Sequence, residues 1–196
     1  MEGSGVINLE MLNRHKQVFG FFAQQLTYPE KLDFNPVVIE ESADSSHPAY
    51  PYLNEYWNLI RQYSMEQIEE MYVQTFDFEK RSTLYMTYFK FEDSRERGRM
   101  LAQLKSIYQL YGLEMMKEEL SDYLPLMCEF LYAADWHEDP KAAEHLEMVL
   151  AVMEDGTYHL LKALEKAKSP YYPLIKGLRE TFKACIQQEV SAHEHA

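Results

Sequence analysis

The chain has 196 residues, a formal charge of −13, 46% apolar residues and 26% charged residues. Such an acidic excess argues against nucleic acid and against an anionic membrane surface as partners, because both would repel it. Only seven glycines and eight prolines break the chain, which disfavours a many-turned β fold, and no window approaches a membrane span.

The length suits one domain with a substantial core. Residues 1–8, with Gly3, Ser4 and Gly5, are expected as a frayed end. From Leu9 the apolar positions Leu12, Val18, Phe19, Phe22 and Leu26 recur at helical spacing. Tyr28-Pro29 stops that helix, because the residue before proline is pushed out of the α region. Residues 31–49 read as a loop holding Pro36 and Pro48. Helix returns over 50–63, with Leu53, Tyr56, Trp57 and Ile60 on one stripe.

Ser64 and Gln67 form a capping box for the next helix, which carries Ile68, Met71, Tyr72, Thr75 and Phe76. Between Glu40 and Glu79 nine acids face one base, Arg61. Such a run is first a solvated face, and second a surface for a cationic peptide. Ser82 or Thr83 is expected to cap a short helix through Leu84, Tyr85, Tyr88 and Phe89. Asp93 and Glu96 suggest a second capping box, opening a helix with Leu104, Ile107 and Tyr108 inward and Gly112 at its C′ position. Arg95, Arg97 and Arg99 crowd its first turn, where the helix dipole disfavours cations. Internal carboxylates or a ligand anion should neutralise them. Gly98 inside this helix predicts close approach of another helix.

Asp122 is the expected N-cap of a helix bearing Pro125, Met127, Phe130 and Leu131. Residues 142–153 and 158–167 form two helices, or one interrupted at Asp155-Gly156. Ser169-Pro170 reads as the start of the last helix, with Leu174, Leu178, Phe182 and Cys185 inward. Residues 191–196, with His193 and His195, are expected as a mobile tail. The pattern predicts an all-α, single-domain helical bundle.

The seven histidines fall into no metal-binding spacing, and His137 beside Glu138 and Asp139 suits a surface turn. No glycine-rich phosphate loop occurs, and Cys128 lacks a catalytic helper. No catalytic residue, metal or cofactor is therefore assigned, and the chain is not expected to be an enzyme. Cys128 and Cys185 sit in apolar helical patterns and predict reduced thiols in the cytoplasm.

Four stretches carry a family resemblance: Tyr72-Val73-Gln74-Thr75-Phe76-Asp77, Leu84-Tyr85-Met86-Thr87, Asp93 with Arg95, Arg97 and Gly98, and Glu119-Leu120-Ser121-Asp122-Tyr123-Leu124-Pro125. In this order the chain resembles the NarJ-type assembly chaperones of respiratory nitrate reductase, also called its delta subunit. Ser121 stands where the family pattern has proline and Glu92 where it has glycine. Tyr123 replaces a histidine common in the broader class of redox-enzyme maturation chaperones. The resemblance implies a cytoplasmic, all-helical protein that holds the catalytic (alpha) subunit while molybdenum cofactor is inserted. It implies a partner segment, the basic N-terminal peptide of that subunit, a remnant of a twin-arginine leader, and no membrane insertion of the chaperone itself. A groove of aromatics and methionine rimmed by carboxylates suits such a peptide.

The peptide-binding candidates are Tyr72, Phe76 and Asp77 on one wall, and Glu119, Asp122 and Tyr123 on another. A phenylalanine such as Phe76 is more often core than groove, and Asp122 also suits a helix cap alone. A rival reading is a guanine-nucleotide-binding protein with Arg95, Arg97 and Arg99 on the phosphates.

Overall fold

The computed structural model describes residues 6–30, 39, 41–92, 94–115, 119–136 and 139–187. Asp93, Glu118, His137, Glu138 and the tail histidines lie outside the described residues. Nine α-helices are described: α1 (Leu9–Arg14), α2 (Lys16–Leu26), α3 (Tyr50–Ile60), α4 (Met65–Tyr72), α5 (Tyr88–Phe91), α6 (Arg95–Leu110), α7 (Leu124–Ala133), α8 (Ala142–Ala167) and α9 (Tyr172–Cys185). α2 packs chiefly on α7, and α9 lies between α3 and α8. The all-helical expectation holds but for a two-residue antiparallel ladder, Val6–Ile7 with Ile186–Gln187.

That ladder corrects the expected frayed end over residues 6–8; residues 1–5 lie outside the described residues. Residues 6–8 are tied down, and Asn8 caps α1 by accepting from the Met11 backbone N at 3.0 Å. The helix expected from Leu9 to Leu26 is broken at His15, whose ring turns inward against His47 at 4.4 Å.

The Ser64–Gln67 capping box is present with both reciprocal bonds. α4 then widens into a π turn, Val73–Asp77. The helix expected through Leu84, Tyr85, Tyr88 and Phe89 forms only from Tyr88, as α5. Ser82 ends a 3-10 turn, Lys80–Ser82, and its hydroxyl donates to the Thr75 carbonyl. The chain runs extended through Tyr85, which bridges antiparallel to Tyr123. Met86 N donates to Asp122 O at 2.9 Å and Leu124 N to Leu84 O at 2.8 Å. An extended segment with backbone partners 36 and 40 residues away is invisible to local periodicity.

α6 is capped by Ser94, whose hydroxyl accepts from Arg97 N at 3.3 Å. Leu104, Ile107 and Tyr108 are buried as expected, and Gly112 takes φ +79 at the C′ position. Gly98 has nothing within 4 Å of a would-be Cβ, so no helix approaches it there. The close approach occurs at Gly156 instead. A Cβ there would lie 2.7 Å from Met86 Cα and O, and α8 runs unbroken through this glycine.

Asp122 is not the N-cap of α7; Tyr123 occupies that position and the Asp122 side chain is wholly buried elsewhere. Pro125 does sit in the first turn. α9 begins at Tyr172 with Pro173 in its first turn, so Ser169-Pro170 lies just before it. Lys168 ends α8 in the left-handed region at φ 52.

Candidate functional site

α2 and α7 are antiparallel neighbours. Lys16, opening α2, donates to the carbonyl of Ala134, just past α7. At the other end the Tyr72 hydroxyl donates to the Leu26 carbonyl at 3.0 Å and lies 3.2 Å from the Tyr123 hydroxyl. The single Tyr72 proton goes to Leu26, so Tyr123 donates to the Tyr72 oxygen. This satisfies a carbonyl at the C-terminus of α2 that has no partner within the helix.

Along their outer face the two helices leave an open groove of about 770 Å³. α2 supplies Gln17, Gly20, Phe21, Ala23 and Gln24; α7 supplies Pro125, Leu126, Glu129 and Tyr132. Thr27, Ser42, Leu113, Glu114, Glu119 and Tyr123 complete the lining. Gly20 lets the Tyr132 ring lie against the α2 backbone, since a Cβ there would meet that ring at 3.0 Å. Among the described residues the lining has three glutamates and no lysine, arginine or histidine. Glu114 and Glu129 are exposed, with no basic partner among the described residues.

Glu119 accepts from the Tyr85 hydroxyl at 3.2 Å, and the Tyr85 ring lies 5.5 Å from that of Tyr123. Burial, reinforced by the Glu119 carboxylate, pushes the Tyr85 phenol up to about 12. Burial likewise raises Tyr123 and Tyr72, so all three remain protonated donors at neutral pH.

Of the expected wall residues, Glu119 and Tyr123 line this groove. Tyr72 touches it only through its hydroxyl contact with Tyr123. Tyr72 and Phe76 are 3% and 4% exposed, and Phe76 packs against Tyr72 and Tyr171 at 5.0 and 4.9 Å. They support the site from beneath. Asp77 is exposed and close enough for its charge to raise both Tyr72 and Tyr123. Asp122 faces inward: its Oδ2 accepts from Thr87 N at 3.1 Å, from the Thr87 hydroxyl and from Arg97 at 3.3 Å. The arginine cluster therefore divides. Arg97 is neutralised by an internal carboxylate, while Arg95 and Arg99 point to solvent.

The contribution of α2, with Glu114 and Tyr132, was not apparent from the sequence. One signal existed: Glu129 is the sole charged residue in the apolar α7, and such a residue marks the solvent face. Among the described residues no three His, Cys, Asp or Glu side chains gather to hold a metal, and no helix is long and apolar enough to cross a membrane.

Residues 40–175 match the family described as nitrate reductase delta subunit. The chain is 36% identical over 137 residues to the probable nitrate reductase molybdenum cofactor assembly chaperone NarJ of Bacillus subtilis, covering 64% of this chain and 69% of that protein. It is 30% identical over 156 residues to the nitrate reductase-like protein NarX of Mycobacterium tuberculosis, which covers 80% of this chain but 23% of NarX. It is 27% identical over 128 residues to the NarJ chaperone of Escherichia coli K12, covering 65% of this chain and 51% of that protein. The resemblance to NarJ-type chaperones thus holds across most of the fold, and the chain belongs to the nitrate reductase delta subunit family.

Proposed function

We propose that the protein is a cytoplasmic assembly chaperone that binds the basic, amphipathic N-terminal segment of the nitrate reductase catalytic subunit in the α2–α7 groove. It holds that subunit for molybdenum cofactor insertion. The observation that carries this reading is the groove's lining: an apolar floor of Phe21, Ala23, Pro125 and Leu126, with three glutamates and no cation among the described residues. An amphipathic helix laid in such a groove buries its apolar face while its basic flanks meet carboxylates. Relatives that carry the name of molybdenum cofactor assembly chaperone support the choice of client.

No observation favours the nucleotide reading. It needs three arginines on phosphates, and Arg97 is already bonded to Asp122. Calorimetric titration of the client's synthetic N-terminal segment tests the proposal. Binding should weaken as salt rises, because exposed charge pairs are screened. A residual affinity should persist at high salt, because apolar burial is not screened. Absence of binding at low salt overturns the reading.

A further inference from the structure

The end of α8 and the whole of α9 differ in charge from the rest of the chain. Residues 158–185 hold six lysines and arginines against two acids, Glu165 and Glu180, in a chain of net charge −13. Glu180 is taken by Lys176 at 3.1 Å and Lys183 at 2.8 Å. Lys162, Lys166 and Lys168 are exposed and form no ion pair among the described residues.

Aromatic rings organise these cations. The Lys162 Nζ stands 4.2 Å over the Tyr158 ring, and the Arg179 guanidinium carbon lies 5.6 Å from the same centroid. Arg179 reaches across from α9, donating to the Glu154 carbonyl at 2.6 Å and the Thr157 hydroxyl at 2.9 Å on α8. Tyr158 is 45% exposed. Its ring meets that of His159 at 5.5 Å, and His159 stacks on Phe89 of α5 at 5.3 Å. A row of three rings thus runs beside cations from two helices. The helix dipole accounts for Lys166 and Lys168 at the C-terminus of α8, and not for Lys162 and Arg179 gathered at one exposed ring. None of these residues lines the α2–α7 groove.

We propose that this α8–α9 face docks a second partner, an acidic protein segment that carries an apolar side chain. Its carboxylates meet Lys162, Lys166 and Arg179, and its apolar side chain covers the Phe89, His159 and Tyr158 rings. Exposed tyrosine and arginine are the side chains that most often anchor a protein partner. A small anion suits the face less well, because the cations do not converge. Lys162 and Lys166 are about 6 Å apart along the axis of α8, and Arg179 is on another helix. A run of carboxylates matches that spread. The site stands apart from the groove reading, and the two faces select segments of opposite charge.

The test uses the full chain and short fluorescein-labelled peptides at low salt, read by anisotropy. One peptide has glutamate pairs separated by single leucines, the second is all glutamate, and the third has the first's glutamates replaced by glutamine. The first should bind, the second about fivefold more weakly for want of the apolar contact, and the third not measurably. Lys162→Glu with Lys166→Glu should weaken the first peptide about tenfold, since two exposed pairs become repulsive. Lys105→Glu with Lys141→Glu changes the net charge equally, on α6 and at the far end of α8, and should weaken it about twofold or less because distant charges are screened. Tyr158→Ser frees both cations without changing charge and should weaken it about threefold. Thermal unfolding checks that each variant is folded. Failure of the first peptide to bind, equal losses in the two charge-reversed pairs, or equal affinity for the all-glutamate or glutamine peptide overturns the proposal. Tighter binding of tripolyphosphate or of an oligothymidylate also overturns it, making the face a phosphate site instead.

Discussion

Arg97 and Asp122 meet at 3.3 Å across the start of α7, with the carboxylate wholly buried and the guanidinium side chain 11% exposed. Three donors converge on Asp122 Oδ2, two from Thr87 and one from Arg97. Oδ1 is buried without a hydrogen-bond partner. The pair locks the first turn of α6 to the extended segment that carries Tyr85 and to Tyr123. Removing one partner of a buried pair leaves an uncompensated charge, which costs about 3–5 kcal/mol. Arg97→Met should lower the urea midpoint by that amount of stability with an unchanged slope. Adding Asp122→Leu should recover much of it, because a hydrophobic replacement of both partners is far less costly. A loss below about 1 kcal/mol for Arg97→Met, on the same estimate, refutes the role assigned to the pair.

Two glycines should respond to alanine with opposite signs. At Gly156 a new Cβ would sit 2.7 Å from the Met86 backbone, so α8 or the 84–87 segment must shift. Overpacking of this kind costs about 1–3 kcal/mol, and backbone in contact puts this site at the upper end. At Gly98 the space is open and the residue is on the exposed face of α6, so alanine should stabilise by about 0.5–1 kcal/mol. Thermal unfolding of the two variants side by side reads both signs.

Glu92 has φ 45 and ψ −134, a region that suits glycine and strains a residue with a Cβ. Glu92→Gly should therefore raise stability by about 1 kcal/mol, the relief of local strain exceeding the entropy that glycine adds to the unfolded chain. A neutral or destabilising result in chemical denaturation would show that this backbone is not strained.

His15 and His47 pack edge to face at 4.4 Å in the interior. Burial, with mutual repulsion, lowers His47 to about 4, and burial with the nearby Arg14 lowers His15; only Asp44 opposes either shift. The unfolded chain protonates these imidazoles near 6.5, so it binds more protons than the folded chain between pH 6.5 and about 4. Stability contributed by His47 is full above that window and falls as pH drops through it. His47 Nδ1 also accepts from Ala49 N at 3.1 Å, an acceptor role that asparagine can keep. His47→Asn should flatten the slope of stability against pH from 6.5 to 5, above the range where Asp44 and Asp139 titrate. An unchanged slope would remove His47 as the source.

Helices whose apolar positions recur at three and four residues were readable from the sequence, as with Leu104, Ile107 and Tyr108 of α6, all buried. The features that fail are non-local. The 84–86 segment is extended because it pairs with 122–124, and Asp122 is buried because Arg97 and Thr87 reach it across the fold. The groove was half legible. Glu119 and Tyr123, named from the sequence, line it on the α7 side, while no α2 residue was named because that wall lies about a hundred residues away in the sequence.

Phe76 and Leu126 separate support from contact. Phe76 is 4% exposed between Tyr72 and Tyr171, beneath the groove. Truncation to alanine there removes a buried ring and should cost about 3–5 kcal/mol. Leu126 is half-buried and lines the groove, so Leu126→Ala loses less of the fold. With a client peptide bound, however, Leu126 becomes covered. Its loss should then weaken binding by up to about 1.5–3 kcal/mol, and this should persist at high salt because the contribution is apolar. Glu129→Gln should do the reverse, lowering affinity only at low salt and by about 1 kcal/mol or less. Parallel denaturation and calorimetric titration of the three variants at two salt concentrations checks the pattern. If Leu126→Ala binds the client segment as tightly as the parent chain at high salt, the floor of the groove is not the contact surface, and the peptide lies elsewhere.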